Sequence, residues 1–129
     1  MPMRQTTIIF HTNQEKQFSL DCDIAWTRDE KRLGLMHRNS LGKNRGMLFA
    51  FRYPCIHYVH MNHVSFPLDI IFISSKYRIN KYVEASVKQK WKPSFFYLGT
   101  GKYIVECHQG FCKKHGILPG CIVEIDSFL

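Results

Sequence analysis

Residues 60–73, HMNHVSFPLDIIFI, open with two histidines and a methionine spaced like metal ligands and close in an apolar run broken by one carboxylate, Asp69. The segment is either a site or a strand that carries histidines. If residues 56–64 are extended, His57, Val59, Met61 and His63 share one face and His60 points to the other. His57 and His63 then stand about 20 Å apart at roughly 3.3 Å per residue, too far to share one ion. The stretch therefore reads as core strands, 56–64 and 68–74, separated at Pro67.

The rest of the chain extends this pattern. FSLDCDIA, residues 18–25, puts Phe18, Leu20, Cys22 and Ile24 on one side and Ser19, Asp21 and Asp23 on the other, the period of a half-buried strand. The preceding TTIIFH is a second strand, and the polar TNQEK between them turns the chain into a hairpin. Thr27 followed by Glu30 has the spacing of a reciprocal helix cap, so a short helix follows and ends near Gly34. GMLFAF (46–51), INKYVEASV (79–87), YIVEC (103–107) and CIVEIDSF (121–128) read as further strands. Turns fall at Pro54, at SSKYR and at GILPG, and QGFCKKHG gives one or two helical turns closed by Gly116. The longest irregular piece runs from Trp91 to Gly101; its aromatics Trp91, Phe95, Phe96 and Tyr97 either cover a barrel end or form a lid over a ligand. Many short strands with one or two short helices imply a mainly β, α+β fold: one compact β-sandwich or partly closed barrel over residues 1–129.

At 129 residues, with 45% hydrophobic and 22% charged residues, the chain has the size and composition of one globular domain. No stretch approaches the ~20 apolar residues of a membrane span, and the N-terminus lacks the apolar core of a secretory signal. Five cysteines cannot all pair within the chain, and their spacings fit no disulfide framework. The expectation is a cytoplasmic protein with reduced thiols. A net charge of +8 draws the protein toward polyanions at low salt. The basic residues are spread along the chain, with denser stretches at 28–45 and 76–92, which leaves a nucleic-acid surface as an alternative.

Two constellations carry chemistry. In ECHQGFCKKHG, Cys112 and His115 share a helix face with Cys107 and His108 close before them, a weak alternative metal set; buried structural thiols explain the cysteines more simply. Asp69 is costly in its apolar run unless partnered. It accepts hydrogen bonds from backbone N–H groups of a neighbouring turn, pairs with an arginine such as Arg38, or serves as a general base or ligand anchor. No phosphate loop, nucleophile elbow or helical histidine pair is present, so catalysis has no motif to rest on and no cofactor is called for.

RLGLMHRNSLGKNRGMLFAF, residues 32–51, resembles the signature of domain-of-unknown-function family 192, also called uncharacterised protein family 0127: Gly34 to Met36, the basic Arg38, and Gly46 to Phe49. FPLDIIFI resembles the family's strand of proline, aliphatic, aspartate and apolar run, and the resemblance continues through VKQKWKPS to YIVECHQGFCKKHGILPGCIVEI, covering about residues 18–126. It implies a small β-rich domain with a short helix and no assigned activity. Many members resemble exported or tethered proteins, a localisation not carried over to this chain. His60 and His63 depart from the family pattern, as do Cys107, Cys112 and Cys121. A shared site would therefore use the matching Met36, Arg38, Met47, Met61 and Asp69, with His57, near the Pro54–Cys55 step of one family branch, as a further candidate.

The resulting expectation is a non-enzymatic module that binds a small molecule or peptide in a groove lined by methionine and aromatic side chains, bordered by the helix and the strand before Asp69. A basic nucleic-acid-binding protein is the alternative, and a metal-dependent hydrolase a weaker one.

Overall fold

The computed structural model describes residues 3–87 and 96–126. The fold is mainly β; the described residues form seven strands and two short helices in the order β1 (Gln5–His11), β2 (Gln17–Ala25), α1 (Arg28–Leu33), β3 (Arg45–Val59), β4 (Leu68–Ile73), β5 (Ile79–Ala85), β6 (Tyr97–His108), α2 (Phe111–His115) and β7 (Val123–Glu124). The strands form one curled sheet ordered β5-β4-β6-β3-β2-β1-β7. Its two ends are brought together by the Arg78–Ile122 bridge and by backbone bonds linking Ile79 to Gly120 and Cys121, so the sheet is a partly closed barrel. Among the described residues no helix is long and apolar enough to cross a membrane.

The hairpin expected from the alternation of residues 6–25 forms, with β1 and β2 antiparallel from Gln5–Asp23 to His11–Gln17. The expected helix cap is also present: Thr27 Oγ accepts from the Glu30 N–H at 3.1 Å while the Glu30 carboxylate accepts from the Thr27 N–H at 2.9 Å. Gly34 follows with φ +49°, a backbone conformation that favours glycine, and packs over the Phe49 ring. α1 thereby returns the chain onto the sheet and allows β3 to pair parallel to β2.

Both faces of the sheet are covered. The inner face packs Ile8, Phe10, Leu20, Leu48, Ile71 and Val105 around the barrel interior, which Cys112 of α2 and Ile117 just after it close. The outer face packs Met47, Phe49, Leu68, Ile70, Phe72 and Ile104 under Leu35, Leu41, Met61, Val64 and Phe66 from the loops after α1 and β3. Two-sided burial explains why all six residues of β4 are buried.

The structure differs from the sequence reading in four places. GMLFAF and residues 56–59 are one bent strand, β3, because Pro54 sits at a register shift between Ala50 and Cys55 instead of a turn. Residues 60–64 are not extended: His63 takes φ +60° and the Val64 N–H bonds to the Met61 carbonyl, a turn that aims Met61, Val64 and Phe66 all inward. Residues 97–101, expected to be irregular, belong to β6. Gly99 and Gly101 serve close approach there, since a β-carbon at the first would overlap the Phe72 ring and at the second the Ile73 backbone. The Trp91 and Phe95 part of the proposed lid lies outside the described residues. Finally, among the described residues β7 keeps only Val123–Glu124 of the strand expected over 121–128, whose last two residues lie outside the described part.

Candidate functional site

The outer face is not sealed everywhere. Beneath α1, whose Lys31, Arg32 and Leu33 form the roof, a cleft of about 250 Å³ opens between the helix and the sheet. Leu35 and Met36 close one side, Phe49, Phe51 and His57 of β3 the other, and Ile104 and Glu106 of β6 reach its lining from the sheet. The Lys31 ammonium lies 4.1 Å from the Phe51 ring centre and 5.2 Å from that of Trp26, a cation over aromatic faces at the mouth. Partial burial lowers its pKa.

Glu106 is the unusual residue of this lining. It is only 6% exposed, and register sets it between Met47 of β3 and Ile70 of β4. Its side chain makes no hydrogen bond or ion pair among the described residues, and burial alone raises its pKa from 4.5 to about 8. At neutral pH it is therefore mostly an uncharged acid. The nearby Asp23 is treated differently: Arg38 at 3.3 Å and Arg45 at 3.6 Å both reach its carboxylate.

The structure brings two of the candidate residues, Met36 and His57, to this cleft. Met47 and Met61 lie in the apolar layer of the same face, 0% and 3% exposed, and Arg38 is held by Asp23. Asp69 lies on the opposite face, fully buried, where its Oδ2 accepts the Cys112 N–H of α2 at 2.9 Å. That is the backbone partnership named first for it on sequence grounds. Burial raises the Asp69 pKa, and hydrogen bonds from Cys112 and Gly110 pull it back.

His57 Nε2 lies 2.8 Å from the Gly101 carbonyl and so carries the proton. Cys55 Sγ is 3.8 Å from Nδ1 and 3.7 Å from Nε2 of the same ring. A thiol in line with the Nδ1 lone pair would be much farther from Nε2, so the sulfur rests on the ring face. The contact is sulfur on aromatic, not a nucleophile–base pair. The set Cys107, His108, Cys112 and His115 is dispersed as well. Both thiols are buried in the inner core, His108 packs near Phe66, and His115 stacks on Phe18 at 4.0 Å. Among the described residues no three His, Cys, Asp or Glu side chains are placed to share a metal ion.

Sequence reading missed Glu106, Lys31 and Arg32 as site residues. In YIVEC, Glu106 alternates with apolar residues as a solvent-facing acid would, so the sequence offers only a weak signal for it.

Comparison with known proteins agrees with this architecture. A protein from Sinorhizobium meliloti 1021, described as a candidate transcription regulator, superposes with a TM-score of 0.88 at 24% identity, over 96% of this chain and 95% of that one. A protein of unknown function from Novosphingobium aromaticivorans DSM 12444 gives 0.82 at 24% identity, over 95% and 86%. At these identities the likeness establishes the fold. No curated protein matches the sequence. The profile of the family DUF192, "Uncharacterized ACR", matches residues 9–125, a span that starts one strand earlier than the motifs alone reached, and the chain belongs to that family.

Proposed function

We propose that this domain is a non-enzymatic ligand-binding module, and that the cleft under α1 is where it takes a small, largely apolar molecule. One observation carries the reading: a buried acid with no partner among the described residues faces a cleft with room for one. Buried polar groups are nearly always hydrogen-bonded, and an exception that borders open space calls for a group from outside. Met36, Leu35 and the Phe49 and Phe51 rings supply adaptable apolar contact around it. The Cys55–His57 geometry supports binding over catalysis, because the one thiol beside an imidazole is not aligned with it. Five free thiols, four of them buried, support a reducing compartment, the cytoplasm.

The test is a fragment screen by amide NMR on the intact chain. Shifts should concentrate at Leu35, Met36, Phe49 and Glu106. A screen in which no fragment moves these signals overturns the reading.

A second reading has its own observation. A cleft of about 360 Å³ between the β1–β2 turn and α2 is lined by Lys16, Lys113, Lys114 and His115. It supports polyanion binding, as does the description of the Sinorhizobium protein as a candidate transcription regulator. This reading predicts RNA or DNA affinity that falls steeply with salt, and no shift in a gel assay at low salt removes it.

A further inference from the structure

Several other acids have charged or ring-nitrogen partners. Asp23 has two arginines, Glu84 has Lys113 at 3.1 Å, and Glu124 has His11 at 2.6 Å. Cations are in excess, 18 Lys and Arg against 10 Asp and Glu, yet among the described residues none pairs with Glu106. The acid is thus unpaired through placement, at a point of the outer face where a cleft stands over it. From this arrangement, and resting on the cleft reading above, we propose that the ligand is a compact organic cation: a protonated amine or amidine on a small apolar body, its N–H groups directed at the Glu106 carboxylate.

Two features of the lining favour a cation over a neutral or anionic guest. A carboxylate held among Met47, Ile70 and Ile104 gains most from a positive partner, because the opposing charge removes the cost of ionising it there. The aromatic wall also already takes an ammonium group, since Lys31 rests over Phe51 at 4.1 Å. The volume of about 250 Å³ sets the size of the guest at one small ring or a short alkyl chain.

Binding carries a proton balance. Glu106 is protonated in the free protein at neutral pH; as the cation enters, the carboxyl releases its proton to solvent, and the ligand keeps its own. Titratable groups facing the cleft are Lys31 and Arg32 from α1, His57 and Tyr58 from β3, and His60 beyond the end of β3. His108 follows Glu106 by two on β6, on the same side, and is exposed; on β4 the nearest acid, Asp69, is on the opposite face.

The experiment is calorimetric titration of the full chain at pH 7 with benzamidine, its neutral isostere benzamide and the anion benzoate. Benzamidine should bind, with a heat that varies with the ionisation heat of the buffer because a proton is released. Glu106→Gln should weaken it roughly tenfold to a hundredfold and abolish the buffer dependence. Lys31→Met, which removes a like charge from the mouth, should strengthen it. Butylamine and Nα-acetyl-lysine amide then separate the sources of such a cation: binding of the first alone assigns a free small molecule, and equal binding of both assigns a peptide side chain. Benzamide or benzoate binding as tightly as benzamidine, with Glu106→Gln silent, overturns the cation and leaves the cleft reading intact. No binding by any probe, with the Met36 and Glu106 amides unmoved in NMR, overturns both.

Discussion

Two buried acids one register step apart, Asp69 on β4 and Glu106 on β6, meet opposite fates on opposite faces of the same sheet. β4 and β6 pair Asp69 with Cys107 and Ile70 with Glu106, so the carboxyls point away from each other through the sheet. Asp69 faces inward, where α2 begins at Gly110, a residue with no side chain to cap the helix. The carboxylate of the neighbouring strand takes over that role by accepting the Cys112 N–H. Its second oxygen, Oδ1, has no partner among the described residues, but it is fully buried. Glu106 faces outward under α1, where among the described residues no donor or cation pairs with it and the space beside it is open. An acid wedged into a helix start holds the fold together, whereas an acid left beside a cleft is ready for a guest.

The comparison breaks first at Asp69. Asp69→Ala should cost about 2–4 kcal/mol, since it strands a buried N–H and opens a void, while Asp69→Asn, which keeps an acceptor, should cost about 1 kcal/mol. At about pH 4, where the acid is mostly neutral in both states, Glu106→Leu should change stability by less than about 1 kcal/mol, because no hydrogen bond is lost; at pH 7 it should stabilise, because the unfolded chain then has no carboxyl to ionise. Urea unfolding of the three variants measures the contrast, and a Glu106→Leu loss as large as that of Asp69→Ala would erase it.

The pH dependence sharpens it. The folded Glu106 pKa is raised above its ordinary value, so the native state holds the proton longer than the unfolded chain. Its contribution is complete below about pH 4.5 and falls by about 1.4 kcal/mol per pH unit until about pH 8. The difference between native protein and Glu106→Gln, measured by unfolding at intervals across that window, isolates this slope; parallel curves would count against it.

Smaller effects separate the two helices. Thr27→Ala removes the α1 cap at a cost of about 1 kcal/mol and should disturb amide signals around the cleft without reaching Cys112. Arg38→Ala should cost only about 0.5 kcal/mol, because the pair is partly exposed and Arg45 still serves Asp23.

Local signals in the sequence carried most of the fold. The alternation of residues 18–25, the Thr27–Glu30 spacing and the Gly116 stop each describe a few neighbouring residues, and each reappears in the structure. The misread pieces depend on distant partners. Pro54 reads as a turn and is a bulge because β6 continues to pair across it. Gly99 and Gly101 read as a loop and are strand because Phe72 and the Ile73 backbone press against them. The site was half legible for the same reason. Period two assigns Tyr103, Val105 and Cys107 to the core and turns Glu106 to solvent, which makes an acid there unremarkable. Only when the loops after α1 and β3 fold over that outer face does Glu106 become buried, and nothing within YIVEC announces them.

The bridge between Arg78 and Ile122 joins two regions that share no strand ladder, and β7 adds only two residues against β1. Residues 120–124 act as a clasp: until they dock, β1 and β5 both present unpaired edges, ready to recruit the strands of another molecule. The closing contacts link residues more than forty positions apart in sequence, and few of them hold the ends of the sheet together. Weakening the clasp would therefore register as self-association before any loss of β structure.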